Sequence, residues 1–192
     1  MKIGVLALQG AFREHIQMIR ACGTDAVEVR LPVHCDDIDG LVIPGGESTT
    51  ISKLIVEYDM LDAIGACASS GKPIFGTCAG AILLADRMDG KKQAFLNLID
   101  IDVTRNAYGR QIQSRESDVT LAFSPATPFH AVFIRAPIIT AVGPAVTKLS
   151  SYNNTVILAR QDNILVSTFH PELTGDTRIH QYFLTMAGEG SC

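Results

Sequence analysis

The chain has 192 residues, of which 47% are hydrophobic and 19% charged, enough to bury one core without disulfides or metal and ordinary for an α/β protein with buried parallel strands. A net charge of −4 with no basic run gives no footing to nucleic acid or to an anionic membrane surface as a partner. The cysteines Cys22, Cys35, Cys67, Cys78 and Cys192 are odd in number and form no C-x-x-C pair, which points to a reducing compartment rather than a disulfide framework.

Residues 1–8 carry one charge and an apolar run too short for a membrane span or a signal peptide, so residues 2–8 read as the first buried strand of a cytoplasmic protein. The turn Gln9-Gly10 leads into a helix over 11–21, with Phe12, Ile16 and Ile19 near one face and Gly23 closing it. A second strand is predicted over 27–31 and a third over 41–43, the latter ending on Pro44-Gly45-Gly46-Glu47-Ser48. Helices are predicted over 49–58 and 61–69; Gly71-Lys72-Pro73 then delivers the chain to a short strand at Ile74-Phe75 and a helix over 81–85. This alternation is the pattern of βαβ units and a mainly parallel sheet.

Beyond that point the strand-like runs 98–103, 119–123, 131–134, 155–160 and 164–169 are short and separated by turn-rich segments such as Tyr152-Asn153-Asn154 and Gln161-Asp162-Asn163. They predict an antiparallel or mixed addition to the sheet rather than a second domain. Residues 178–187 form a closing helix, and 188–192 are expected to fray. The expected fold is thus one α/β domain over 1–192, a flavodoxin-like three-layer sandwich around a mostly parallel sheet with a small antiparallel addition.

Chemistry concentrates in three places. In Gly76-Thr77-Cys78-Ala79-Gly80 a strand turns sharply into a helix with Cys78 on the turn, and glycines two before and two after it remove the Cβ atoms that would block so tight a bend. The first N–H groups of the following helix lack intrahelical acceptors, face Cys78 with the positive end of the dipole and, starting with Ala79, are placed to hold an oxyanion. Taken alone, the stretch also fits a buried structural cysteine.

The second place is Phe169-His170-Pro171-Glu172, directly after a predicted strand. Two residues apart on an extended chain stiffened by Pro171, His170 and Glu172 project to one side, where a carboxylate would fix the imidazole tautomer and stabilise its charged form. Both stretches end strands, where open α/β sheets place their sites. The third is the Gly-Gly loop Pro44-Gly45-Gly46-Glu47-Ser48-Thr49-Thr50, which opens a helix capped by Ser48 or Thr49 and lacks the lysine of a nucleotide P-loop. Its backbone N–H groups are suited to complete an oxyanion hole.

In identity and order these three elements resemble the class I (triad) glutamine amidotransferases. Leu8-Gln9-Gly10-Ala11-Phe12-Arg13-Glu14-His15, Arg105-Asn106-Ala107-Tyr108-Gly109-Arg110-Gln111 and Phe133-Ile134-Arg135-Ala136-Pro137 narrow the resemblance to the glutaminase subunits of pyridoxal 5′-phosphate synthase, over nearly the whole chain. The resemblance implies hydrolysis of L-glutamine to glutamate and ammonia, without a cofactor, in a hetero-oligomeric complex whose synthase subunit uses the ammonia. It implies Cys78 as nucleophile, His170 as proton shuttle and Glu172 as its orienter. It further implies Gly46, Glu47, Ser48, Arg105, Ile134 and Arg135 as the glutamine site, and Gly46 with Ala79 as the oxyanion hole.

Two other readings stay open on the residues themselves: a hydrolase of another γ-glutamyl compound, and a non-catalytic flavodoxin-like module with a reactive cysteine. His15, His34, His130 and His180 have no Cys or His partner at metal-ligand spacing, so no metal site is expected and they read as ordinary core or surface residues. Gln9 and Gly10 are consistent either with lining the site or with touching the synthase.

Overall fold

The computed structural model describes residues 1–93, 95–105 and 114–189. In chain order the first half forms β1 (Lys2–Leu6), α1 (Phe12–Ala21), β2 (Asp25–Val29), β3 (Gly40–Ile43), α2 (Ser48–Glu57), α3 (Met60–Ser69), β4 (Ile74–Thr77) and α4 (Ala79–Leu84). The second half forms β5 (Ala85–Met88), β6 (Lys91–Lys92), β7 (Ile99–Thr104), β8 (Ser114–Leu121) and β9 (Ser124–Ile134), then β10 (Ile138–Val142), β11 (Thr147–Tyr152), β12 (Thr155–Gln161), β13 (Ile164–Ser167) and α5 (Arg178–Glu189).

Strands β2, β1, β3, β4 and β13 lie side by side in that order and all run parallel. They are the almost continuous apolar runs that a sheet covered on both faces requires. Along each, alternate residues serve opposite cores. Ile3 and Val5 of β1, Val42 of β3, Phe75 of β4 and Leu165 of β13 meet α1 and α5 on one face. Leu6, Leu41, Ile43, Ile74, Ile164 and Val166 meet α2, α3 and α4 on the other. Helix α1 fits its place because His15, Ile16, Met18 and Ile19 fall on one stripe and are buried there. This is the expected three-layer α/β sandwich.

The sheet continues past β13 through β12, β10, β7, β5 and β6, with β11 branching from β12, and here the pairing is mainly antiparallel. Strands β8 and β9 form a separate two-stranded antiparallel sheet, whose Val119, Leu121, Phe129, Ala131 and Phe133 close the α1/α5 core. The added antiparallel layer is therefore as anticipated, but larger. Strands β5 and β11 have no apolar run of their own, since edge and hairpin strands need only one buried face and a partner to pair with, whereas β10 is the apolar run Ile138-Ile139-Thr140-Ala141-Val142, absent from the strands predicted above. Strand β2 starts earlier than its hydrophobic run and stops before Leu31, which is 45% exposed, because its register follows β1 from Lys2 opposite Asp25 to Leu6 opposite Val29.

The C-terminal ends of β1, β3, β4 and β13 meet on one edge of the sheet, each followed by a segment singled out above: Gln9-Gly10, the Pro44 loop, the Cys78 turn and His170. Close packing there depends on two glycines. A Cβ at Gly76 would come within 2.6 Å of Leu84 Cδ1 and 2.7 Å of the Gly80 carbonyl carbon, and one at Gly80 would run into the carbonyl oxygen of Ile43 in β3. Gly80→Ala should therefore cost about 2 kcal/mol or more in a urea titration, since the clash is with backbone that cannot swing aside. A cost under half a kcal/mol would show that α4 can drift from β3 freely.

Candidate active site

Cys78 lies at φ 48°, ψ −100°, a conformation that residues with a side chain rarely adopt. It is held there from both sides: its N–H donates to Ser167 O of β13 at 2.8 Å, and its carbonyl accepts the Ile82 N–H of α4 at 3.3 Å. Helix α4 begins at Ala79, immediately after the turn and two residues earlier than predicted, so the N–H of Ala79 sits in the first turn beside the sulfur. Cys78 is 5% exposed, and its Sγ lies 3.7 Å from the Ile134 carbonyl oxygen.

His170 follows β13, with its N–H donating to Val132 O of β9 at 2.8 Å. Its imidazole lies beside the Cys78 side chain, the two bounding the same space over Gly45, and its Nδ1 lies 2.7 Å from Glu172 Oε1. The structure thus brings together the three residues separated by 92 and 2 positions in the chain, as expected. The route differs. Residues Pro171–Leu173 form a 3-10 turn rather than an extended segment, and Pro171 opens that turn, curling Glu172 back under the ring.

Electrostatics favour an ion pair between His170 and Glu172. Burial works against charge on His170, but the hydrogen bonds and opposite charges of Cys78 and Glu172 outweigh it and push its pKa up to about 10. Burial likewise opposes the charge of Glu172, and the His15 Nε2 edge beside it, together with the hydrogen bond and charge of His170, overcomes it and holds the carboxyl below its ordinary range.

The glycine loop packs directly on this pair. A Cβ at Gly45 would collide with the His170 ring, so only glycine lets the loop lie against the imidazole. Two of its amides are spoken for: Gly45 N–H donates to Thr77 Oγ1 at 3.0 Å and Glu47 N–H to Gln9 Oε1 at 2.9 Å. Between them, the Gly46 N–H takes no hydrogen bond among the described residues. Ala11 N–H holds the Gly45 carbonyl at 2.9 Å, so the turn after β1 clamps the loop.

The cap of α2 is a correction. The helix starts at Ser48, which makes Glu47 the capping residue, and its longer side chain folds back to accept from Thr49 N–H at 3.1 Å, Thr50 N–H at 2.7 Å and Thr50 Oγ1 at 2.7 Å. These bonds, the Thr50 hydroxyl foremost, bring its pKa down to about 2.

A cavity of about 760 Å³ opens over the sulfur, lined by Gln9, Gly46, Glu47, Ser48, Cys78, Ala79, Arg105 and Arg135, with Thr49, Ile82 and Asp89 completing the wall. Ile134 contributes its carbonyl to the sulfur, and Arg135 beside it lies at φ 47°. Of the candidate site residues, Gly46, Glu47, Ser48, Cys78, Ala79, Arg105 and Arg135 line the cavity, and Ile134, His170 and Glu172 lie behind it. Gln9 lines it, while Gly10 packs behind Gly45 and Gly46. Residues 106–111 of the recognised stretch that begins at Arg105 lie outside the described residues. Among the described residues no group of three or more His, Cys, Asp or Glu could hold a metal ion, and no helix is long and apolar enough to cross a membrane.

Residues 5–189 match the SNO glutamine amidotransferase family. The chain belongs to the SNO glutamine amidotransferase family. It is 52% identical over 184 residues to the pyridoxal 5′-phosphate synthase subunit PdxT of Pelotomaculum thermopropionicum, covering 96% of this chain and 94% of that one. It is 52% identical over 186 residues to the subunit of the same name from Desulforamulus reducens, covering 97% and 99%. A solved structure described as a glutamine amidotransferase superposes with a TM-score of 0.90 at 45% identity, over 97% of this chain and 98% of that one.

Three residues of this SNO amidotransferase site were read from the sequence as ordinary core or passed over: His15, Thr77 and His180. All are fully buried behind Glu172. The available signal was that His15 falls on the apolar stripe of α1, where an imidazole needs partners. Burial lowers the pKa of His15, against the opposing charge of Glu172, and brings that of His180 down to about 3. A histidine that titrates near 6.5 when unfolded and near 3 when folded binds its proton more readily unfolded, so stability falls as pH falls through that window. Between pH 6 and 4, wild type should lose about 1.4 kcal/mol per pH unit more than His180→Leu in denaturant titrations. Parallel pH dependences for the two proteins would contradict the buried neutral ring.

Proposed function

We propose that the chain is a single glutaminase domain over residues 1–192 that hydrolyses L-glutamine to L-glutamate and ammonia and passes the ammonia to the synthase subunit of a pyridoxal 5′-phosphate synthase, in the cytoplasm. The observation that carries the reading is the convergence of Cys78, His170 and Glu172 beneath one cavity. Membership of an amidotransferase family and the names of its relatives supply the substrate and the partner.

In the proposed reaction the proton shared by Cys78 and His170 rests on His170 Nε2, and the sulfur attacks the side-chain amide carbon of glutamine. The developing oxyanion is held by the Ala79 and Gly46 N–H groups. While sulfur is anionic it shares in holding the imidazolium proton. Once the S–C bond forms that charge is gone, His170 becomes a stronger acid, and its proton goes to the departing amine as the C–N bond breaks. Water then attacks the thioester carbonyl, giving its proton to His170, and glutamate leaves as the thiol re-forms. Glu172 keeps Nδ1–H pointing at itself, so Nε2 always faces the sulfur.

Arg105 and Arg135 are suited to the α-carboxylate of glutamine. The Glu47 carboxylate is committed to capping α2, so in this reading Gly46, Glu47, Ser48 and Ile134 meet glutamine mainly through their backbone. Cys78→Ala should abolish ammonia release from glutamine in the presence of the synthase subunit, with binding of that subunit retained; a wild-type rate would refute the assignment. Adding the synthase subunit to the wild-type chain should raise glutamine hydrolysis at least tenfold, about 1.4 kcal/mol of barrier. Full turnover by the isolated chain would remove the coupling from the account.

A further inference from the structure

Behind Glu172 runs a buried chain of polar groups that the proposed reaction does not use. Glu172 Oε1 faces His170, but Oε2 is buried with no aligned hydrogen-bond donor among the described residues. The polar atom beside it is His15 Nε2 at 3.3 Å. The same nitrogen lies 3.0 Å from Thr77 Oγ1, and His15 Nδ1 lies 3.0 Å from His180 Nε2. Thr77 Oγ1 in turn accepts the N–H of Gly45, in the loop that carries Gly46.

The chemistry of the groups fixes where the protons are. A bare Nε2 lone pair on His15 would face carboxylate lone pairs, so Nε2 carries the hydrogen. His15 Nδ1 is then an acceptor and can only be satisfied by His180 Nε2–H. This leaves His180 Nδ1 as an acceptor without a partner, as observed. Both rings are neutral, which agrees with the direction in which burial moves them.

We propose that His15 is a positioning residue: its Nε2–H, shared between Glu172 Oε2 and Thr77 Oγ1, aims the Glu172 carboxylate at His170 and ties it to the Gly45-Gly46 loop. His180 locks the tautomer that makes this possible. One imidazole on α1 thereby sets both the orienter of the base and the amide loop of the oxyanion site. A carboxylate held at one oxygen alone can rotate about its last bond. The Nε2–H of His15, 3.3 Å from the second oxygen, attracts it and restricts that rotation, and a misplacement of about 1 Å at a reacting group costs roughly a hundredfold in rate.

The inference rests on the glutaminase reading and is tested within it. His15→Gln places an amide N–H near the position of Nε2, whereas His15→Asn places one near Nδ1, too short to reach Glu172. The two are similarly polar and similarly disruptive of the core. In the complex with the synthase subunit, His15→Asn should lose at least tenfold in kcat with KM for glutamine within about twofold of wild type, and His15→Gln should keep at least tenfold more kcat than His15→Asn. Kcat values for the two within threefold of each other, or a loss expressed in KM alone, would overturn the positioning role and leave the glutaminase reading intact. No ammonia release by wild type would instead sink both.

Discussion

A cysteine at φ 48° and ψ −100° is under strain of about 1–3 kcal/mol, and it persists only because its surroundings over-determine it. Here the restraint is the parallel sheet: β13 takes the Cys78 N–H, β3 leaves room only for glycine at position 80, and α4 is pinned in between. With the turn held, the sulfur projects from the strand ends into the cavity, and the first amide of α4 is delivered beside it. Remove the restraint and the residue relaxes toward an ordinary conformation that buries or redirects the thiol.

The same sheet edge then supplies the rest by adjacency. Strand β13 is the direct neighbour of β4, so the segment after it carries His170 to Cys78 without a long connection, and β3 on the other side brings the glycine loop. Strand β9 receives the His170 N–H through Val132 and offers the Ile134 carbonyl to the sulfur. The antiparallel β8–β9 sheet is therefore part of the site's frame, although it lies outside the main sheet. Charge is handled by burial in pairs: His170 and Glu172 stay ionised because each partners the other, while His15 and His180 stay neutral.

Much of this is written locally in the chain. Glycines at 76 and 80 have steric jobs that can be deduced from spacing, and the apolar runs of β1, β3, β4 and β13 announce strands buried on both faces. What escaped local reading is what depends on neighbours. Strand β11, reading Thr-Lys-Leu-Ser-Ser-Tyr, exists because β12 offers it a ladder, and the Glu47 cap depends on where α2 starts. His15 and His180 are separated by 165 positions and acquire meaning only when α1 and α5 pack on the same face of the sheet.

The account requires a covalent glutamyl thioester on one particular sulfur. Acid-quenching the complex of this chain with its synthase subunit during glutamine turnover, followed by peptide mass mapping, tests this directly. The predicted result is a glutamyl adduct confined to the peptide containing Cys78. Ammonia release with no adduct under any quench time, or an adduct on Cys22, Cys35 or Cys67 instead, would contradict it.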